Sequence, residues 1–304
     1  NIAYGPGLAL IRDLVPMHRI GVASSLKIMS DAAGGMALIA VSGALIANES
    51  TGAIIDWKWL TLAILGVSLV VGVAVTSVTV VSREVQLPRQ RPAQEEPPTT
   101  PVLNPQLWLF LVSRLLMITS IAAFQTYGLF FLRDVVGLEE PAQALGRMIL
   151  VIGGALAVAV YISGWVSDRI GRKPVVVIGA TGAALSTLWM LTAESSTEVL
   201  IIASVIGASV GTLLSANWAL ANELGSQRQA GLHMGIVNLA TIGGSALAKL
   251  LGPGIDLLNR VSENLGYQTL LISCAGLFLA GAIILMPVKT GRLKELRSEP
   301  PPPD

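Results

Sequence analysis

Long apolar segments dominate this chain of 304 residues and limit the folds that are open to it. A helix needs about twenty mostly apolar residues to cross the roughly 30 Å hydrocarbon core of a bilayer. Eight segments meet that requirement, and residues 2–15 look like the end of a ninth; the eight are 21–47, 59–81, 106–132, 143–166, 174–194, 197–220, 232–254 and 267–288. The sequence therefore predicts an all-α polytopic membrane protein, with about eight full transmembrane helices and part of a ninth.

The composition excludes several classes of function. The mean hydropathy is +0.69, and only 13% of residues are charged, against about 25% in soluble domains. A net charge of +1 argues against nucleic acid as a partner. One cysteine, Cys274, and two histidines, His18 and His233, offer no metal-binding spacing. With no phosphate-binding loop and no nucleophile–base pair, we expect no enzyme, no catalytic residues, no metal and no cofactor.

The distribution of basic residues predicts the orientation of the spans. Most arginines and lysines fall at one set of span ends, and the opposite ends carry only Lys58, Arg133, Arg147, Lys249 and Arg260. The basic side is the expected cytoplasmic side, so we expect an integral protein of a plasma membrane, such as the bacterial inner membrane. The C-terminus then lies in the cytoplasm.

Two segments interrupt the apolar pattern. Residues 84–105 and 291–304 are rich in proline and charge and poor in apolar residues, which is typical of flexible polyproline-like chain. We interpret the first as a cytoplasmic linker between regions 1–83 and 106–290, and the second as a cytoplasmic tail. A Pro-rich segment can also serve as a docking ligand for a partner domain.

A charged motif joins two apolar spans at residues 164–174. An acid, Asp168, and three bases, Arg169, Arg172 and Lys173, stand between Gly164 and the following span, with Gly171 among them. Hydrocarbon cannot hold so many charges, so the motif predicts a very short aqueous turn. The pattern G-x-x-x-D-R-x-G-R-K-P resembles the cytoplasmic loop motif of major facilitator superfamily (MFS) transporters.

A weak internal repeat agrees with this resemblance. Residues 10–14 align with residues 220–224 at an offset of 210, which also places Gly21 on Gly231 and Gly34 on Gly244. MFS transporters consist of two related six-helix halves that rock around a central site. The resemblance implies an N-terminally truncated fragment that runs from the end of the family's fourth helix to its twelfth. Such a fragment is not expected to transport by itself.

The resemblance also implies a conformational latch at the loop motif. In the family, the residues equivalent to Asp168 and Arg172 hold cytoplasmic helix ends together when the inner side is closed. A helix start near Gly21 is the expected neighbour of Asp168, because free N–H groups there favour an anion. Glu223 is the expected partner of Arg172, and Asp13 would by symmetry serve the missing first-half loop. Alternatively, these charges only fix the topology.

Polar residues inside the spans are candidates for the solute or ion site. Lys27 and Asp31 are four residues apart on one helix face, and Asp31 and Arg114 each reach a depth of about 15 Å, near the midplane. Lys27 and Arg114 could bind an anionic or hydroxylated solute while Asp31 changes protonation. Alternatively, Lys27 and Asp31 form a structural ion pair and Arg114 extends to the lipid headgroups. Asn238 is a further candidate at a slightly shallower depth. Gln125 and Tyr127, in the outer half of their span, are candidate substrate contacts or, alternatively, ordinary interhelical hydrogen-bonding residues.

Three functions remain open. The first is secondary transport of a small polar solute, coupled to protons or sodium, with the lipid bilayer as surroundings. The second is multidrug or metabolite export, although segment 34–43 has no proline and so lacks the Gly-Pro motif of the superfamily's antiporters. The third is a membrane receptor or assembly factor that keeps the fold without transport.

Overall fold

The computed structural model describes residues 20–47, 57–84, 105–138, 141–224 and 230–289. Within these ranges the chain is helical, with short turns and no strand. The helices are α1 (Ile20–Ala47), α2 (Trp57–Glu84), α3 (Pro105–Asp134), α4 (Pro141–Ile170), α5 (Arg172–Trp189), α6 (Ser196–Leu224), α7 (Ala230–Lys249), α8 (Gly252–Val261) and α9 (Leu265–Leu285). A 3₁₀ turn, Met190–Thr192, extends α5. The predicted all-α fold is confirmed.

The helices lie where the apolar segments predicted them. Among the described residues, six stretches are long and apolar enough to cross a membrane: Pro105–Asp134, Ala144–Ile170, Arg172–Thr192, Ser196–Leu224, Leu232–Val261 and Leu265–Leu285. α1 and α2 correspond to the two earlier predicted spans, and α2 contains a shorter apolar stretch, Leu62–Val75. The span predicted at 232–254 continues to Val261 and is broken between α7 and α8. The predicted partial span at 2–15 lies outside the described residues.

The chain divides into two compact units, and the boundary falls inside α1. One unit comprises residues 1–30 and 102–304, and the other comprises residues 31–101. In the first unit, α6 packs against α4 and α5, while α3 packs against α7 and α9. The predicted division into regions 1–83 and 106–290 stays a prediction, since most of the 84–105 linker lies outside the described ranges.

Glycines allow close contact between α4 and α6. A Cβ on Gly207 would lie 2.5 Å from the carbonyl oxygen of Ile152, and one on Gly211 would lie 2.7 Å from that of Leu156. Helices in lipid gain little from the hydrophobic effect between them, so their association depends on such backbone proximity. This packing fixes α6, whose last turns carry four of the buried polar residues described below.

The charged motif forms a shorter turn than an ordinary loop. α4 ends at Ile170 and α5 begins at Arg172, so only Gly171 separates the two helices. The φ angle of Gly171 is 101°, a conformation that glycine adopts without strain. Asp168 and Arg169 therefore stand on the last turn of α4, while Arg172 and Lys173 stand on the first turn of α5. The charged side chains of the motif therefore belong to two helices that meet at Gly171.

Candidate functional site

The Asp168 carboxylate closes the N-terminal end of α1. Its Oδ1 accepts a hydrogen bond from the backbone N–H of Gly21 at 3.0 Å, and its Oδ2 accepts one from that of Val22 at 3.2 Å. The first N–H groups of a helix have no partner within the helix, and the helix dipole places partial positive charge there. A carboxylate from α4 thus supplies both the acceptors and the charge that α1 needs.

The same end of α1 rests on α4 and α6 through small residues. A Cβ on Gly21 would lie 2.6 Å from the carbonyl oxygen of Gly164, so the two backbones are in direct contact. The Ser25 hydroxyl donates to the Gly21 carbonyl at 2.9 Å and shares a buried hydrogen bond with the Ser215 hydroxyl at 2.8 Å. α1 is therefore held against α4 and α6 by polar contacts and by close packing of small residues.

Arg172 and Glu223 form a buried ion pair between α5 and α6. Nη1 of Arg172 lies 2.9 Å from Oε2 of Glu223, and the side chains are 0% and 5% exposed. Nη2 of Arg172 also lies 3.8 Å from Oδ1 of Asp168. The Arg172–Glu223 pair joins two helices of the same unit. The Asp168 carboxylate accepts the hydrogen bonds from the start of α1.

The other residues of the motif point away from α1. The Lys173 ammonium donates to the carbonyls of Met286 and, at 3.1 Å, Val288, just beyond the end of α9. The Arg169 guanidinium lies 3.4 Å from the ring centre of Trp165, and both side chains are exposed. Asp13 lies outside the described residues. The structure thus brings Asp168, Arg172 and Glu223 together, while their role as a latch stays a prediction.

A second polar cluster surrounds Arg114, which is 1% exposed. Its Nε donates to the Thr241 hydroxyl at 3.1 Å, its Nη1 donates to the side-chain oxygen of Asn217, and its guanidinium lies 4.1 Å from the Trp218 ring centre. The alternative that Arg114 extends to the headgroups is therefore wrong. Polar groups on α6 and α7 solvate the guanidinium inside the bundle, so extension is unnecessary.

Lys27 joins this cluster from α1. Its ammonium lies 4.6 Å from the ring centre of Trp218, and Trp218 is 7% exposed. Cation–π contacts of this kind are stronger where water is excluded. Lys27 and Arg114, both predicted candidates for binding the solute, thus contact the same indole ring, which α6 contributes.

Sequence reasoning missed Trp218 and Asn217 as members of this cluster. Four polar or ionisable residues, Ser215, Asn217, Asn222 and Glu223, crowd the last ten residues of α6. Such crowding in an otherwise apolar span was a usable signal. Tryptophan carries no such signal, because its place near a span end is equally typical of an interfacial anchor.

The other predicted candidates are dispersed. Asn238, on α7, is 9% exposed. The Tyr127 hydroxyl donates to the carbonyl of Lys249 at 3.1 Å and so links α3 to the end of α7. Gln125 is exposed, and Asp31 is exposed and belongs to the other compact unit. In the part of the chain that the structure describes, no three His, Cys, Asp or Glu side chains group to hold a metal ion.

Comparison with known families gives two matches. The profile "Major Facilitator Superfamily" matches residues 142–303, and the profile "MFS/sugar transport protein" matches residues 15–220. Each covers more than half of the chain, and together they cover the loop motif, α6 and both polar clusters.

Individual relatives agree with these profiles. The chain is 31% identical over 148 residues to Multidrug resistance protein D of Escherichia coli (strain K12), a match that covers 47% of this chain and 35% of that protein. The chain thus spans about a third of the length of this curated relative. The solved structure of the proton:xylose symporter XylE bound to 6-bromo-6-deoxy-D-glucose superimposes with a TM-score of 0.65 and 13% identity, and the superposition covers 93% of this chain and 67% of XylE.

Proposed function

Because this chain belongs to the Major Facilitator Superfamily, whose members are membrane transporters and not enzymes, we propose that the full-length protein moves a small polar solute across a bilayer. The transport is secondary and proceeds by alternating access, with one bundle rocking against the other around a central site. A proton or another cation supplies the driving gradient. The loop-motif side is the cytoplasmic side, and the solute leaves or enters there when α1 separates from α4 and α6.

The contact of Asp168 with the start of α1 is the observation that carries this proposal. Hydrogen bonds to a charged acceptor contribute about 1.5–3 kcal/mol each, and water replaces part of that when the helices separate. A net bias of a few kcal/mol is enough to favour one of two conformations strongly while leaving the other accessible. The contact that closes the cytoplasmic side of a transporter needs about this strength. A much stronger contact would prevent the protein from alternating between its two conformations.

Coupling to a cation gradient is assigned to Asp31. It stands one helical turn after Lys27 on α1, and its exposed carboxylate can exchange a proton or bind a cation. The similarity to a proton:xylose symporter favours symport. The solute and the cation would then be released on the same side in each cycle.

Export is the second candidate, and the similarity to Multidrug resistance protein D favours it. The Arg114–Lys27 cluster would repel a cation, which favours a polar or anionic solute. The direction of flux under an imposed proton gradient separates symport from export.

The test measures how often α1 separates from its neighbours. Ser24 is buried on α1, and its hydroxyl has no hydrogen-bond partner among the described residues. Ser24→Cys in a Cys274→Ser background therefore introduces a reporter thiol at little cost. A membrane-impermeant maleimide applied to inside-out vesicles should label this thiol slowly. Asp168→Asn should raise the labelling rate about tenfold, because each 1.4 kcal/mol of lost bias shifts the equilibrium tenfold.

Asp256→Asn is the matched control, because Asp256 is an exposed acid on α8. It should leave the labelling rate unchanged. An Asp168→Asn protein that labels at the parent rate would contradict the proposed gate. Labelling that occurs only in right-side-out vesicles would contradict the proposed orientation.

A further inference from the structure

Two cationic side chains from different helices share the Trp218 indole. The Arg114 guanidinium of α3 lies 4.1 Å from the ring centre, and the Lys27 ammonium of α1 lies 4.6 Å from it. Like charges repel strongly where water is scarce. The negative face of the indole ring attracts both cations and so partly offsets this repulsion. The Arg114 and Lys27 side chains can therefore lie close together where water is scarce.

Neutral groups set the position of the guanidinium. The amide oxygen of Asn217 and the hydroxyl of Thr241 accept its hydrogen bonds. These contacts orient the Arg114 guanidinium. An arginine oriented in this way can donate two parallel hydrogen bonds to an oxyanion.

Asn217 provides an independent indication of a ligand. Its side chain is 1% exposed, and its Nδ2 meets no hydrogen-bond acceptor in the described part of the chain. A buried amide donor without an acceptor is unfavourable and is rarely retained without a role. The same amide holds Arg114 through its oxygen, so a ligand that accepts from Nδ2 would lie beside the guanidinium.

We propose that the transported solute is a small organic anion, and that Arg114, Lys27 and Asn217 bind its oxyanion group. This inference rests on the transport function proposed above. Arg114 and the Nδ2 of Asn217 donate hydrogen bonds to the anion's oxygens, and the Lys27 ammonium exchanges its contact with Trp218 for one with the anion. In the conformation described here the cluster is closed, since Arg114, Asn217 and Trp218 are nearly fully buried.

This exchange connects the solute to the gate. Lys27 stands on α1 two residues after Ser25, and Trp218 stands on α6 three residues after Ser215, so their contact lies beside the Ser25–Ser215 hydrogen bond. An anion that draws Lys27 off the indole therefore weakens the contact between α1 and α6. Solute binding then favours the open state of the inner side.

Uptake by the full-length protein in proteoliposomes under an inward proton gradient tests the solute class. The probes are radiolabelled lactate, malate, succinate and citrate as organic anions, xylose as a neutral solute and ethidium as a cationic drug. We expect uptake of at least one anion and no uptake of xylose or ethidium. Arg114→Gln and Lys27→Met should each lower that uptake about tenfold or more, and Lys27→Arg should restore most of it. Arg260→Gln, at an exposed position on α8, is the charge-matched control and should behave as the parent.

Asn217→Asp separates a binding role from a structural one. The new carboxylate should pair with Arg114 and keep the protein folded, as measured by an unchanged or raised melting temperature. It should also raise the KM for the transported anion about tenfold, because it occupies the guanidinium and removes the amide donor. A variant that transports the anion with the parent KM overturns the assignment of this site.

The outcomes distinguish the two proposals. The maleimide assay at Ser24→Cys needs no solute, so a failure there counts against transport itself. Uptake of xylose or ethidium by the parent with none of the four anions overturns the anion assignment alone. Failure of all four anions in a protein whose gate responds to Asp168→Asn overturns it as well.

Discussion

Gly164 lies so close to Ser25 that a methyl group on Gly164 would overlap the Ser25 hydroxyl and come within 2.9 Å of its Cβ. The contact between α1 and α4 therefore exists because α4 has no side chain at this position. Gly21 on α1 must also lack a side chain, because a Cβ there would lie 2.6 Å from the carbonyl oxygen of Gly164. A seam made of two glycines and a serine places the start of α1 within reach of the Asp168 carboxylate.

Gly164→Ala should separate α1 from α4 without unfolding either helix. Alanine has a higher helix propensity than glycine by about 1 kcal/mol, so α4 itself gains stability. The added methyl group cannot fit against Ser25, so the closed state loses free energy. We expect the maleimide labelling rate of Ser24→Cys to rise about tenfold or more.

Gly34→Ala is the control for that experiment. Gly34 is exposed on α1, and a Cβ there meets no described atom within 4 Å. The labelling rate should stay at the parent value. Equal rates in the Gly164→Ala and parent proteins would show that the seam does not hold the inner side closed.

Removing one member of the Arg172–Glu223 pair should destabilise the protein far more than removing both. A buried charge that loses its partner costs about 3–5 kcal/mol, whereas an apolar pair of similar volume is often tolerated. Arg172→Met and Glu223→Leu should each lower the melting temperature in detergent, and the double variant should recover most of the loss. A double variant that is less stable than either single one would contradict this account.

Lys173→Met should loosen the end of α9. The ammonium donates to carbonyls just beyond the helix, where a cation also interacts favourably with the helix dipole. We expect a loss of about 1 kcal/mol that is local to this end. Hydrogen exchange of peptides covering residues 283–289 should accelerate. Lys289→Met, at an exposed neighbouring position, should leave exchange unchanged.

In the full-length protein, Asp31→Asn should uncouple transport from the gradient. An asparagine cannot release a proton, so the variant should lose gradient-driven accumulation and retain exchange of solute between the two sides. Proteoliposomes with and without a proton gradient measure the two activities. Asp256→Asn should retain both. Unchanged accumulation in the Asp31→Asn protein would leave Asp31 with a structural role only.

The helical spans, the turn between α4 and α5 and the superfamily could be predicted from the sequence. The hydropathy of a segment indicates whether it lies in lipid, and its density of charged residues indicates where the chain must meet water. Both are local properties of the chain and can therefore be determined from the sequence. The expected neighbours of Asp168 and Arg172, Gly21 and Glu223, are the residues that the structure places beside them. The exclusion of enzymatic function follows from the family to which the chain belongs.

Tertiary structure alone decided which side chains share an environment. The sequence predicted a common depth for Asp31 and Arg114, but depth does not specify how each helix is rotated about its axis. That rotation turns Arg114 and Lys27 toward Trp218 and brings the Asn217 amide to Arg114. It depends on close contacts such as those of Gly21, Gly164 and Gly207, where the absent side chain lets two backbones meet.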